Sequence, residues 1–297
     1  MIKIWKEGEK LILGVDIGNY STKVYPNVIF KSSVETNENI MGSKIKLEIN
    51  NTPFYIGESN IETMLNKANK DNLIPLLTAA ILQASNDICN SVAVGLPIGQ
   101  YKEHKEQLKE RILSYKFRNL KLNDAERTLV IKNCEIYPES LATYYALKIQ
   151  DDCIIIDIGG RTTDICYIRA GKLIYHTTLA VGTLNIYSDI SKYLNDKYAL
   201  NIDYEYAEKI IRKGNLQING VDVDLTFIKE ILKSNFFKIN KELELNYPVN
   251  TEKIILAGGG GRLFEEAFKK RYKVELTDNY IFSNAIGFRK VGQMLWL

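Results

Sequence analysis

The chain has 297 residues, 45% of them hydrophobic and 25% charged, with a net charge of +3. At roughly 150 residues per domain this length suggests two domains, each able to bury its own core. So small a charge excludes a case for direct nucleic-acid or membrane binding on electrostatics alone, and no apolar run approaches the roughly 18 residues of a membrane span.

Taken in chain order, the opening MIKIWKEGEK is charged where a signal peptide is apolar, so a cytoplasmic protein is expected. KLILGVDIG and KVYPNVIF read as two strands joined by the polar turn NYST. The region from Lys31 to about Asn72 is polar and mixed, with a short strand pair at KIKLEIN and TPFYIG, and reads as a small inserted subdomain. NLIPLLTAAILQAS has helical spacing, SVAVGLPIG is an apolar strand, and YKEHKEQLKERILSYK is an amphipathic helix with its charges outward. TLVIKNCEIY reads as a strand, after which Pro138 suits the first turn of a helix, PESLATYYALKIQ.

CIIIDIGGRTTDICYI then begins a second α/β half, followed by the strand GKLIYHTTLA and the helices GTLNIYSDISKYLNDKY and DYEYAEKIIRKG. A helix from about Asp224 to Leu245, the strand–glycine turn–helix EKIILAGGGGRLFEEAFKKRY and a last helix, SNAIGFRKVGQML, complete the chain. Cys89, Cys134, Cys153 and Cys166 contain no C-x-x-C pair and read as thiols of a reducing compartment. His104 and His176 lie far apart in sequence and suggest neither a His-based metal site nor a triad.

The informative feature is a repeat. LILGVDIGNYSTKVY and CIIIDIGGRTTDICYI both run apolar, then Asp-Ile-Gly, then small or polar residues to Thr, with Asp16 and Asp157 in matched places. A glycine in such a turn lets backbone N–H groups converge on one point. Ser21, Thr22, Thr162 and Thr163 offer hydroxyls, Lys23 a positive charge, and each Asp a carboxylate for a hydrated Mg²⁺. One Asp-x-Gly turn is ordinarily only a turn; two in equivalent settings point to paired phosphate cradles. In IILAGGGGRLFEEAF, Gly258 to Gly261 lead a strand directly into a helix N-terminus, which favours an anion or a polar ligand edge. The run is neither a P-loop nor a first-strand G-x-G-x-x-G.

Asp16–Lys23, Asp157–Thr163 and Ala257–Gly261 resemble, in this order, the phosphate-1, phosphate-2 and adenosine motifs of the actin-like ATPase superfamily. YPESLATYYAL and SNAIGFRKVG resemble its two connecting helices. VGLPIGQYKEHKEQLKERI, the Pro-Glu-Ser of the first connecting helix and IIDIGGRTTDI are most similar to the ParM-type plasmid-segregation actins.

The resemblance implies an α/β, actin-like ATPase fold of two related RNase H-like domains around a nucleotide cleft. Domain I would take 1–147 plus 283–297, with the small subdomain at about 31–75, and domain II 148–282. It implies ATP, with GTP as the alternative, and Mg²⁺ held through water by Asp16 and Asp157. Gly18, Asn19, Tyr20, Gly159, Gly160 and Arg161 would line the phosphates, with hydroxyls from Ser21, Thr22, Thr162 and Thr163 and with Lys23 at the β/γ phosphates. Gly258, Gly259 and Gly260 would form the adenosine turn, and Gly182 and Lys209 would approach sugar and base. Glu139 would polarise the attacking water; its other reading is a helix-capping carboxylate. The implied partners are further copies of the chain in a head-to-tail filament and a DNA-binding adaptor at a centromere-like site, with no direct nucleic-acid contact and no membrane. A small-molecule kinase of the same superfamily and a non-hydrolysing nucleotide-gated scaffold are the other readings.

Overall fold

The computed structural model describes residues 11–38, 45–57, 61, 66–147 and 151–297. The charged opening stretch, parts of the 31–72 region and the last residues of the helix expected to reach Gln150 lie outside them. The chain forms two compact units: the described residues up to 147 with Ile281–Leu297, and Asp151–Tyr280.

The first unit begins with β1 (Ile12–Ile17), β2 (Ser21–Val24) and β3 (Val28–Lys31), an antiparallel meander. KVYPNVIF is therefore not one strand. Pro26 cannot donate to a ladder, and the chain turns there, at Tyr25–Asn27. The short β4 (Val34–Glu35), then β5 (Ile45–Ile49) and β6 (Thr52–Ile56), precede α1 (Leu73–Ala84). Pro75 is tolerated in α1 because first-turn N–H groups have no partner within the helix. β7 (Cys89–Leu96), α2 (Ile98–Ser114), β8 (Leu120–Leu122), β9 (Ala125–Arg127), β10 (Val130–Pro138) and α3 (Leu141–Ala146) follow.

The main sheet has the order β10-β7-β1-β2-β3, with β7 parallel to both β1 and β10. Alternation along β7 serves two faces. Val92, Val94 and Leu96 join the core with α1 and α2, while Ala93 meets Ala142 and Phe288 on the other. The expected strand pair is β5–β6, and it forms part of a larger second sheet, β4-β6-β5-β8-β9. It is completed by the β8–β9 hairpin, about 70 residues downstream of β5 in sequence, at Leu47↔Leu122 and Glu48↔Lys121.

The second unit repeats the main sheet. β11 (Cys153–Ile158), β12 (Thr163–Arg169) and β13 (Lys172–Leu179) are its meander. Then come α4 (Thr183–Tyr198), α5 (Tyr204–Lys213), the small hairpin β14 (Gln217–Ile218) and β15 (Val221–Asp222), and α6 (Thr226–Asn246). β16 (Lys253–Ala257), α7 (Gly261–Lys269) and β17 (Val274–Leu276) close it, with the sheet order β13-β12-β11-β16-β17. Read from the meander inward, the two sheets are the same: three antiparallel strands, then two parallel additions. β1 and β11 are buried at every residue, as central strands covered on both faces are. The last helix, α8 (Ser283–Trp296), returns to the first unit, where Asn284 Oδ1 accepts from Ser140 N (3.0 Å) and Thr143 Oγ1 (3.1 Å). No helix among the described residues is long and apolar enough to cross a membrane.

Candidate nucleotide-binding site

The two Asp-Ile-Gly turns have the same construction. Gly18 N donates to Ser21 O (3.1 Å) and Gly159 N to Thr162 O (2.9 Å). Asp16 stands opposite Lys23, and Asp157 opposite Asp164, seven residues on in each case. Asn19 and Tyr20 in one turn, and Gly160 and Arg161 in the other, form the tips, all half-buried.

Two expected phosphate donors are turned the wrong way. Strand alternation sends Thr22 to the core side with Val24, and its hydroxyl pairs with Ser32 Oγ at 2.9 Å. Thr163, paired with Ile158, is likewise fully buried and donates to Val181 O at 2.7 Å. Ser21 and Thr162 remain half-buried.

In the first unit, charged groups gather at this turn. Lys23 Nζ bonds Asp16 Oδ2 at 3.0 Å, Lys67 Nζ bonds Glu139 Oε1, and Lys70 Nζ donates to Asn19 Oδ1 at 2.5 Å. Among the unit's described residues, the buried charged ones are Asp16, Lys67 and Lys70, and all three are here. Lys23 and Lys70 bring positive charge to the turn, which suits an anion. Burial is the largest influence on Glu139 and pushes its carboxyl pKa up; the Lys67 ammonium opposes this, Asp16 adds to the rise, and Lys23 opposes it again.

Pro138 does not open a helix. It ends β10, and α3 begins at Leu141 after Ser140, which has φ 59°. Glu139 thus sits in the strand-to-helix corner, its N–H on Leu96 O at 2.8 Å, and is not a first-turn cap.

In the second unit, the turn is fixed from two sides. Thr183 N and Leu184 N, at the start of α4, donate to Gly159 O (3.0 Å) and Gly160 O (2.8 Å). Gly182 packs against this turn: a Cβ there would lie 2.5 Å from Gly160 O, so the close approach of the two segments requires a glycine. From the other side, Gly260 N donates to Ile158 O at 2.9 Å. Gly258 has φ +75°, and an added Cβ would stand 2.2 Å from Asp157 Oδ1 and 2.5 Å from Ile158 O. That glycine is required by the protein's own contacts, whereas Gly259 faces open space and can admit a ligand. Gly258→Ala is expected to cost at least about 1–3 kcal/mol, read as a shifted urea midpoint, and to weaken nucleotide binding by displacing Asp157. Lys209 is exposed and lines a cavity of about 250 Å³ with Tyr206, Lys213 and Leu216.

Sequence reasoning missed Lys67, Lys70 and Asp164. Asp164 was visible by laying the two repeats side by side, since it occupies the place of Lys23. Lys67 and Lys70 carried no motif.

Twin sheets of one topology, each with an acidic glycine turn after its central strand, define an actin-like nucleotide-binding protein. Residues 14–141 match the family described as actin like proteins, N terminal domain, and residues 155–270 that described as archaeal actin homologue MreB-like, C-terminal. The chain belongs to the actin-like ATPase superfamily. No curated protein matches it in sequence. Among solved structures, the archaeal actin homologue Ta0583 superposes with TM-score 0.82 at 20% identity, over 95% of this chain and 99% of that one. The same protein in complex with ADP gives 0.82 at 19%, with the same coverage. A 15-stranded ParM filament from Clostridium botulinum gives 0.77 at 21%, over 96% of this chain and 99% of that one. At such identities the structural likeness shows the fold.

Proposed function

We propose that this chain is a cytoplasmic Mg²⁺-dependent ATPase, with GTP as the alternative nucleotide, whose bound nucleotide gates its assembly into filaments. In this reading the filaments move plasmid or phage DNA through a separate adaptor. The observation that carries the nucleotide reading is the matched pair of Asp-Ile-Gly turns, one in each unit. The filament reading is supported by the fold shared with the ParM and Alp12 filament structures. Head-to-tail contacts whose rotation does not close into a ring give open polymers.

The residues present fit a magnesium ion. Asp157 and Asp164 are directly opposed carboxylates, both buried, with Thr178 Oγ1 donating to Asp164 at 2.5 Å. Mg²⁺ typically takes one or two carboxylates and keeps several waters. Asp16 and Asp157, in matched places of the two turns, would hold it through water. When bound, the ion neutralises charge on the phosphates. Ser21, Thr162 and the turn tips position the phosphate chain, Lys23 and Lys70 balance its charge, and Glu139 orients the attacking water. Phosphoryl transfer needs little beyond such positioning and charge stabilisation.

Electron microscopy of the pure protein with ATP, with ADP and without nucleotide tests the reading. Filaments with ATP are expected. Single particles under all three conditions would remove the polymer, and ATP turnover that depends on an added small-molecule acceptor would indicate a kinase.

A further inference from the structure

Lys67 lies 72 residues from Glu139 in sequence, yet is buried against it. The segment that carries it, 66–70, joins the small sheet to α1 and is held by one face of α2. Gln100, His104, Gln107 and Arg111 recur at spacings of four, three and four, so they share a stripe of that helix. Gln100 Oε1 accepts from Lys67 N (3.0 Å), and His104 Nε2 lies 3.3 Å from Asn66 Nδ2. Gln107 Nε2 donates to Asn69 Oδ1 (3.2 Å). Arg111 donates to Ala68 O (2.7 Å) and Lys70 O (2.8 Å). α2 turns its charges outward as expected, burying only Ile98, Leu108 and Ile112, with half-buried Arg111 the exception that is committed to this segment. Four side chains thus fix a short stretch whose two lysines end on Glu139 and Asn19.

We propose that Lys67 is a positioning residue for hydrolysis, its ammonium holding the Glu139 carboxylate in the orientation in which it meets the attacking water. The inference rests on the reading of Glu139 given above. A lone carboxylate at the β10–α3 corner can rotate about its own side-chain bonds. One oxygen tied to a buried ammonium that is itself anchored through α2 fixes the direction in which the second oxygen presents its lone pairs. Lys67 then acts through Glu139 and makes no contact with nucleotide of its own.

A double-mutant cycle on the full chain tests this: Lys67→Met, Glu139→Gln and both together, with Lys67→Arg alongside. Turnover and nucleotide affinity are measured separately on each folded protein. Lys67→Met is expected to lower turnover about tenfold or more while affinity stays within about threefold. Lys67→Arg is expected to recover much of the loss. The double variant is expected to be no slower than Glu139→Gln alone, as residues acting as one unit are.

Normal turnover in Lys67→Met, an affinity loss equal to the turnover loss, or additive effects in the double variant would each overturn the proposal. Gln100→Ala, which keeps both charges but frees the Lys67 backbone, serves if Lys67→Met fails to fold. It is expected to slow turnover with affinity retained, and unchanged turnover would count against the proposal. Wild-type turnover in Glu139→Gln would instead overturn the reading of Glu139 on which this rests.

Discussion

Asp157→Ala is expected to reduce nucleotide hydrolysis by about 10²–10³-fold, the size of effect found when one electrostatic stabiliser of a transition state is lost. Asp157 is the penultimate residue of the central strand of its unit, 7% exposed, opposite Asp164 and against Gly258. Removing it takes away one of the two buried carboxylates beside the second turn, and with it the proposed metal ligand. The measurement is phosphate release on protein shown to melt cooperatively, across a Mg²⁺ titration. The variant should need more metal for any residual rate. Wild-type turnover at the wild-type metal concentration would take Asp157 out of the site.

Glu139→Gln is expected to separate assembly from disassembly. The phosphate cradles and the carboxylates proposed for the metal are untouched, so nucleotide should still bind and filaments should still form. Hydrolysis should fall by roughly 10²–10⁴-fold, the usual range for losing a positioned acid or base. Light scattering run beside phosphate release should then show polymers that outlast those of the wild type. Filament decay at the wild-type rate, with phosphate released normally, would eliminate the assignment. Gln is preferable to Ala here because Lys67 is buried. Gln removes the charge as Ala does, but its amide oxygen can still accept from the Lys67 ammonium, whereas Ala leaves that buried donor without an acceptor, a further loss of about 1–3 kcal/mol that would blur the kinetic result. The pH dependence follows from the same burial. Because the Glu139 carboxyl is pushed above its usual range, turnover that needs the ionised form should begin to fall, on acidification, at a higher pH than an exposed glutamate would give.

The helix-cap alternative for Glu139 does not survive the geometry. It presumed a helix starting at Pro138, and such a start would have placed the carboxylate on free N–H groups. Instead Ser140 takes φ 59° and the helix starts beyond it. Proline is compatible with a strand end as well as a first helical turn, so the sequence pattern did not choose between them.

The twin hairpins were legible because apolar strands and Asp-Ile-Gly recur together, and a repeat is visible without any knowledge of tertiary contacts. Which way each threonine faces was also legible in principle, since side chains alternate along a strand and Val24 and Ile165 mark the core side. Lys67 and Lys70 were not legible. They lie in a polar stretch with the look of an exposed linker, and only long-range packing against α2 buries them. The β8–β9 hairpin was half legible. Asn123 and Asp124, with φ of 50° and 64°, form the kind of tight turn that Asn-Asp favours. Its strands are only three residues long and carry charges, and nothing in them says that they pair with β5.

That pairing bears on how such a chain can change by descent. The small sheet is woven from two stretches, one before α1 and one after α2, and their join is sealed by Asn50 N on Arg118 O at 2.8 Å and Asn119 Nδ2 on Asn51 Oδ1 at 3.0 Å. A subdomain inserted as a single loop can be gained or lost in one genetic event. This one cannot, because excising either stretch strips the other of its neighbour and leaves a bare strand edge. Length variation in the two stretches should therefore be inherited together, and grafting the small sheet onto a relative would require transplanting both.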